Sequence, residues 1–305
     1  MRLVFGTVKG VTIVGTLNAI PHSNISMSAT VCAETSSIPI MTPYDFDAPD
    51  ADVILRSSDG KEFRVHRLIL SLTSPVFQGM FSLPQSTDPP SQILSVDVPE
   101  SSDVLQPFIQ YLYPHFPPKI SDISMWAALY TIGNKYIAGV VMGPLRDMLI
   151  PRFLEKSPMR VYALASHWGF EGEAKIASRR TLRLDISKEL SEEDATLMGG
   201  AACQKLYLLH YNRREAAQRL INNQPPPSAS NASCKCSPPS CRILVSALCQ
   251  RVATKPWLTA EEVFKDAARS GYPARCNDSC RHAYKNMHAY LTSLLEGVSK
   301  LPQTI

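Results

Sequence analysis

Cysteine is too sparse in this chain to build a disulfide scaffold. Eight thiols are spread over 305 residues, most of them after position 233, whereas small secreted domains are cysteine-dense. A reducing compartment, cytoplasm or nucleus, is the expectation, and the triplets at Asn24, Asn231 and Asn277 fit glycosylation only if the chain enters the secretory pathway. Charge of one sign is also lacking: 31 Lys and Arg against 27 Asp and Glu leave a net charge of +4. That is far from the dense basic surface that neutralises nucleic-acid phosphates, so no direct nucleic-acid partner is expected. No long apolar run stands uninterrupted. The opening "MRLVFGTVKGVTIVGTLNAI" is broken by Lys9 and by Gly6, Gly10 and Gly15, which makes it a poor signal peptide and a poor membrane span. Translation from Met27 is an alternative in which residues 1–26 are never made.

Chemistry is missing in the same way. No nucleophile, base and orienting group can be nominated together, and no phosphate loop is present, so catalysis is not expected. The C-x2–4-C and H-x3–5-H pairs of a zinc-finger array are absent, as is any repeat at a period of 20–50 residues.

What the chain does have is apolar patterning. Hydrophobic residues make up 45% of a 305-residue sequence, enough for about two domains. After a Ser-, Thr- and Pro-rich stretch, "DVILR" and "KEFRVHR" alternate around "SSDG", a β-hairpin pattern with Asp59-Gly60 at the turn. "RLILSLTSPVFQGMF" predicts two short helices, the second capped by Ser74 with Pro75 at its first position. "ILSVDV" predicts a third strand. From residue 101 the period becomes helical: "SSDVLQPFIQYLY" with Pro107 near its start, "SDISMWAALYTIGNKY", "MGPLRDMLIPRFLE" interrupted at Pro151, and further helices to residue 221. Residues 222–240 are a Pro/Ser/Asn linker. Two or three more helices follow, one opened by a Thr259–Glu262 capping box.

The order strand, strand, helix, helix, strand, then helices, carried by "DADVILRSSDGKEFRVHRLILSLTSPVFQGMF", resembles the BTB/POZ domain. Matching positions are Asp52 opening the first strand, Phe63, Val65, His66 and Arg67 at the step into the helix, and Ser74, Phe77, Met80 and Phe81 beyond it. The whole is similar to the BTB-only proteins of mushroom-forming fungi. The expected fold is α+β: a small three-stranded sheet flanked by helices, followed by an all-α extension and a helical, cysteine-containing tail. The expected division is a flexible leader over 1–49, a BTB/POZ domain over 50–137, a helical extension over 138–221, the linker, and the tail over 241–305.

The resemblance implies a non-enzymatic interaction module that pairs with a second copy of itself. It implies that Asp52 and Arg67 line a charged pocket at the dimer groove, as in transcriptional members, although a turn aspartate beside a solvated arginine is the plainer alternative. It implies that His66 is a structural hydrogen-bonding residue. In members that recruit targets for ubiquitylation, a hydrophobic-x-Glu segment docks on a cullin scaffold; here Leu83-Pro84-Gln85 keeps the apolar anchor and replaces Glu with Gln, losing a charge-assisted contact. The expected function is thus a self-associating scaffold. The alternatives are a cullin-type ubiquitin-ligase substrate adaptor and a transcription or chromatin co-regulator.

Three smaller features leave alternatives open. Cys236, Cys241, Cys276 and Cys280 would supply four thiolates for zinc if the two pairs met; a reduced, metal-free tail needing no cofactor is the other outcome. Arg179, Arg180 and Arg183, with Lys175, form one basic helix face, either solvated or gripping phosphate. Trp126, Trp168 and Trp257 fit core positions better than a stacking platform.

Overall fold

The computed structural model describes residues 2–8, 11–16, 46–83, 93–114, 117–224, 239–269 and 278–305. They fall into two units, Met1–Tyr44 and Asp45–Ile305. In the first, β1 (Arg2–Val8) pairs antiparallel with β2 (Val11–Thr16), Arg2 opposite Thr16 and Val8 opposite Val11. Within the expected leader, residues 2–8 and 11–16 thus form a strand pair, and residues 17–45 lie outside the described residues.

The second unit opens with the predicted sheet. β3 (Val53–Arg56) lies between antiparallel β4 (Glu62–Val65) and parallel β5 (Leu94–Asp97). Val53, Leu55, Phe63 and Val65 are buried, because alternate residues of a strand share one face. A parallel neighbour needs a crossover, and α1 (Arg67–Thr73) and α2 (Pro75–Ser82) provide it. The domain starts earlier than residue 50. Phe46 is buried with its ring 6.1 Å from Phe63 and 5.5 Å from Tyr113, and its carbonyl accepts from Arg64 N at 2.8 Å. Two aromatics in a seven-residue Pro-flanked run are too short a pattern to announce it.

Helices complete the unit: α3 (Ser102–Leu112), α4 (Ile123–Lys135), α5 (Gly139–Phe153), α6 (Pro158–His167), α7 (Glu171–Thr181), α8 (Ile186–Glu189) and α9 (Glu192–Asn223). Pro107 lies in the second turn of α3, and α5 runs through Pro151 without interruption. One missing N–H near a helix end, with its i−4 carbonyl free to find another partner, does not stop the helix. α9 breaks instead at Gly199, whose φ of 75° and ψ of 163° are outside helical space and open to glycine.

The tail is α10 (Pro239–Thr254), α11 (Ala260–Arg269) and α12 (Asp278–Ser299). The predicted capping box forms: Thr259 N reaches Glu262 Oε2 at 3.3 Å and Glu262 N reaches Thr259 Oγ1 at 3.3 Å. The tail does not stand apart from the extension at residue 222. Ala217 and Ile221 of α9 share one buried cluster with Leu248, Val252, Val263 and Leu291, so the end of α9 is the first helix of the C-terminal bundle. Most of the linker, residues 225–238, lies outside the described residues.

Candidate interaction site

The turn between β4 and α1 gathers the motif residues. His66 precedes α1 in extended conformation and gives the helix no side-chain cap. Asp52 does so from the sheet: its Oδ1 accepts from Arg67 N at 2.7 Å, satisfying one of the amide groups that a helix start leaves without a partner. The Arg67 side chain turns the other way. Its Nη2 donates to the Phe81 carbonyl and its Cζ sits 5.1 Å from the Phe81 ring centroid, clasping the start of α1 to the end of α2. Asp52 and Arg67 are thus adjacent, joined carboxylate to backbone; their side-chain charges form no ion pair among the described residues.

His66 lies against Tyr113. Its backbone N–H donates to Tyr113 Oη at 2.8 Å and its Nδ1 lies 3.0 Å from the same oxygen. On the other side of the ring, Nε2 lies 3.3 Å from Asp50 Oδ2. Ser74 accepts from Phe77 N at 3.2 Å and donates to the Tyr136 carbonyl at 2.6 Å. Phe77 stacks on Tyr136 at 4.6 Å with 5° between the planes, and Phe63 and Phe81 are buried while Met80 is half-buried. Burial first, and Glu100 second, hold the Tyr136 hydroxyl above its ordinary pKa.

With these residues turned inward, α1 shows solvent something the motif did not single out. Leu68 and Leu72 are 68% and 76% exposed, one helical turn apart on the same face. Their signal was the composition of "RLILSLT": a helix apolar on every side buries only one of them, and Leu70 faces the core with no exposure. Leu83, just past α2, is 65% exposed. Gln85 lies outside the described residues.

The cysteine positions are not brought into view. Cys236 and Cys276 lie outside the described residues, and Cys241 and Cys280 lie on α10 and α12 with their side chains outside that description. Among the described residues no group of three or more His, Cys, Asp or Glu is placed to hold a metal ion. No described helix is long and apolar enough to cross a membrane.

Two residues that sequence patterning passed over organise the C-terminal half. Arg213, mid-way along α9 and 1% exposed, donates to the carbonyls of Pro256 at 2.6 Å, Val298 at 2.8 Å, Leu301 at 2.8 Å and Pro302 at 2.7 Å. It is pushed down to about 10 by burial and then by the charge of Arg179. His210, one turn earlier, lies against Thr181 Oγ1 at 3.1 Å. No pattern in the sequence marks either as interior, since both are polar residues in a helix with many others.

The family comparison agrees with this arrangement. The BTB/POZ domain family model matches residues 47–138. Over 183 residues the chain is 25% identical to "Kelch repeat and BTB domain-containing protein 8" of Xenopus tropicalis, a match covering 58% of this chain and 29% of that protein; the chain spans under a third of that relative's length. Among solved structures, the BTB domain of zebrafish PATZ1 is 18% identical, with 32% of this chain and 75% of that one covered and a TM-score of 0.27. The matched residues are those of the β4-β3-β5 sheet, its crossover helices and the helices to residue 138, so this part of the chain is a BTB/POZ domain.

Proposed function

We propose that the chain is a self-associating protein-interaction scaffold that performs no catalysis, with α1 as the surface on which two copies meet. The exposure of Leu68 and Leu72 carries this. Burying each large aliphatic side chain is worth about 1.5–3 kcal/mol, and a two-fold contact places both leucines of one copy against both of the other. A domain of this size buries a limited core by itself and gains from such a contact. The likeness to fungal BTB-only proteins and residence in the cytoplasm or nucleus belong to the same reading. It requires no cofactor, membrane or nucleic-acid contact. Light scattering on the full chain tests it: a dimer at micromolar concentration is expected, and a monomer for Leu68→Glu/Leu72→Glu with an unchanged far-ultraviolet circular dichroism spectrum. A wild-type monomer would end the proposal.

A second reading, substrate adaptor of a cullin-type ubiquitin ligase, has its own supports. The exposed Leu83 offers an apolar anchor beside Gln85, and the similarity to a Kelch repeat and BTB domain-containing protein runs past residue 138 in extent. Gln85→Glu is expected to tighten binding of a cullin N-terminal region; absence of binding by both forms would dispose of this reading and leave self-association intact.

A further inference from the structure

The basic cluster at the C-terminal end of α7 and just beyond it divides in the folded chain. Arg180 is engaged by Glu155. Arg179 and Arg183, one turn apart and both exposed, converge instead on Trp257 of the tail, their Cζ atoms 5.8 and 5.4 Å from the ring centroid. Beneath them the buried Arg213 lies 5.0 Å from the same ring. Its donors are occupied by four carbonyls, and it forms no ion pair among the described residues; neither do Arg179 and Arg183. Three guanidinium groups thus meet around one indole. The acid adjoining α7, Asp185, accepts from Ser187 N and Oγ at 3.2 and 2.7 Å and has Lys188 Nζ at 3.9 Å. Mutual repulsion here is felt by the arginines themselves: the charge of Arg179 adds to burial in lowering Arg213, and that of Arg183 adds to burial in lowering Arg180.

We propose that Arg179 and Arg183, set over Trp257, form a binding site for a phosphorylated side chain on a partner protein. A phosphate dianion neutralises two cations in one group, and its oxygens suit the forked donors of two guanidinium groups better than a single carboxylate does. The cluster is focal. The cations run only from Lys175, one turn before Arg179, to Arg183, because Glu171 and Glu173 open α7 and Asp185 follows it. That favours a single phosphate on a peptide over a nucleic-acid backbone, which needs cations in a row. The site is distant in sequence from α1 and does not rest on self-association there.

Fluorescence anisotropy on the full chain tests this, with a labelled short phosphoserine peptide, its unphosphorylated twin, oligothymidylate, and phosphatidylcholine vesicles containing phosphatidylserine. The phosphopeptide is expected to bind and its twin not to. Arg179→Gln/Arg183→Gln is expected to weaken binding by about tenfold or more, and Arg179→Lys/Arg183→Lys, which keeps charge and loses the forks, by less. Thermal melting of both variants separates lost binding from lost folding; if the Gln pair melts early, the Lys pair decides. Equal binding of both peptides, binding indifferent to both variants, or tighter binding to oligothymidylate or vesicles than to phosphopeptide would overturn the proposal. Retention of phosphopeptide binding by Leu68→Glu/Leu72→Glu is expected.

Discussion

His210 shows how a single polar residue acquires a role from its surroundings. Thr181 Oγ1 donates to the Ser178 carbonyl at 2.7 Å, so towards His210 Nε2 it accepts, and the ring is the neutral Nε2–H form with Nδ1 buried and unpartnered. Protonating Nδ1 would place a charge with no acceptor in the interior. Burial, then Arg214, push this histidine down to about 4, while Asp185 pulls the other way. The folded value lies below the unfolded one, so between them the unfolded chain binds a proton that the native chain does not, and stability falls as pH falls through that window. From near pH 7 to near pH 5 this one residue is expected to remove about 2 kcal/mol. Urea unfolding of wild type and His210→Gln at both pH values checks it: the wild type loses that much more than the variant, and parallel losses would refute the assignment. Asp52 and Arg67 make the same point from a legible motif. Their positions could be read from the sequence, but the direction each side chain takes could not, because it depends on Phe81 and on an amide fourteen or more residues away in the chain.

At the scale of elements, the strands and most helices were legible because alternation and 3.6-residue periodicity report which face is buried. Their ends and interruptions were less so. The start of α3 shows why: its backbone N-cap is Ser101, but the carboxylate serving it is that of Asp59, which accepts from Ser102 N at 3.0 Å and Oγ at 2.6 Å and is lowered to about 2 chiefly by that hydroxyl. A cap from another element has no local spacing. Arg213 is the corresponding device for α9 and the tail, one guanidinium holding four carbonyls from two segments. Arg213→Met fills the volume and removes every donor, and is expected to destabilise the chain by about 3–5 kcal/mol. Limited proteolysis is expected to cleave the variant first between residues 254 and 305; a cleavage pattern like that of wild type would show that the tail is held by its apolar contacts alone.

At the scale of the molecule, the C-terminal bundle changes where the chain can be divided. A protein ending at residue 221 looks natural from the Pro- and Ser-rich stretch that follows, yet it would expose Ala217 and Ile221, which are buried against α10, α11 and α12, and remove the partners of Arg213. Such a truncation is expected to melt at lower temperature than the full chain and to aggregate at concentrations where the full chain is monodisperse in light scattering. Equal melting temperatures would show that the extension folds without the bundle. The sequence by itself determined the BTB/POZ fold, since hydrophobic period, turn chemistry and the Phe63-to-Phe81 motif are local and agree with one another. Only the tertiary structure decided that Leu68 and Leu72 are the exposed leucines of α1, that the end of α9 belongs to the C-terminal bundle, and that Arg179, Arg183 and Arg213 meet at Trp257. Those outcomes depend on contacts between residues far apart in the chain, which sequence spacing does not encode.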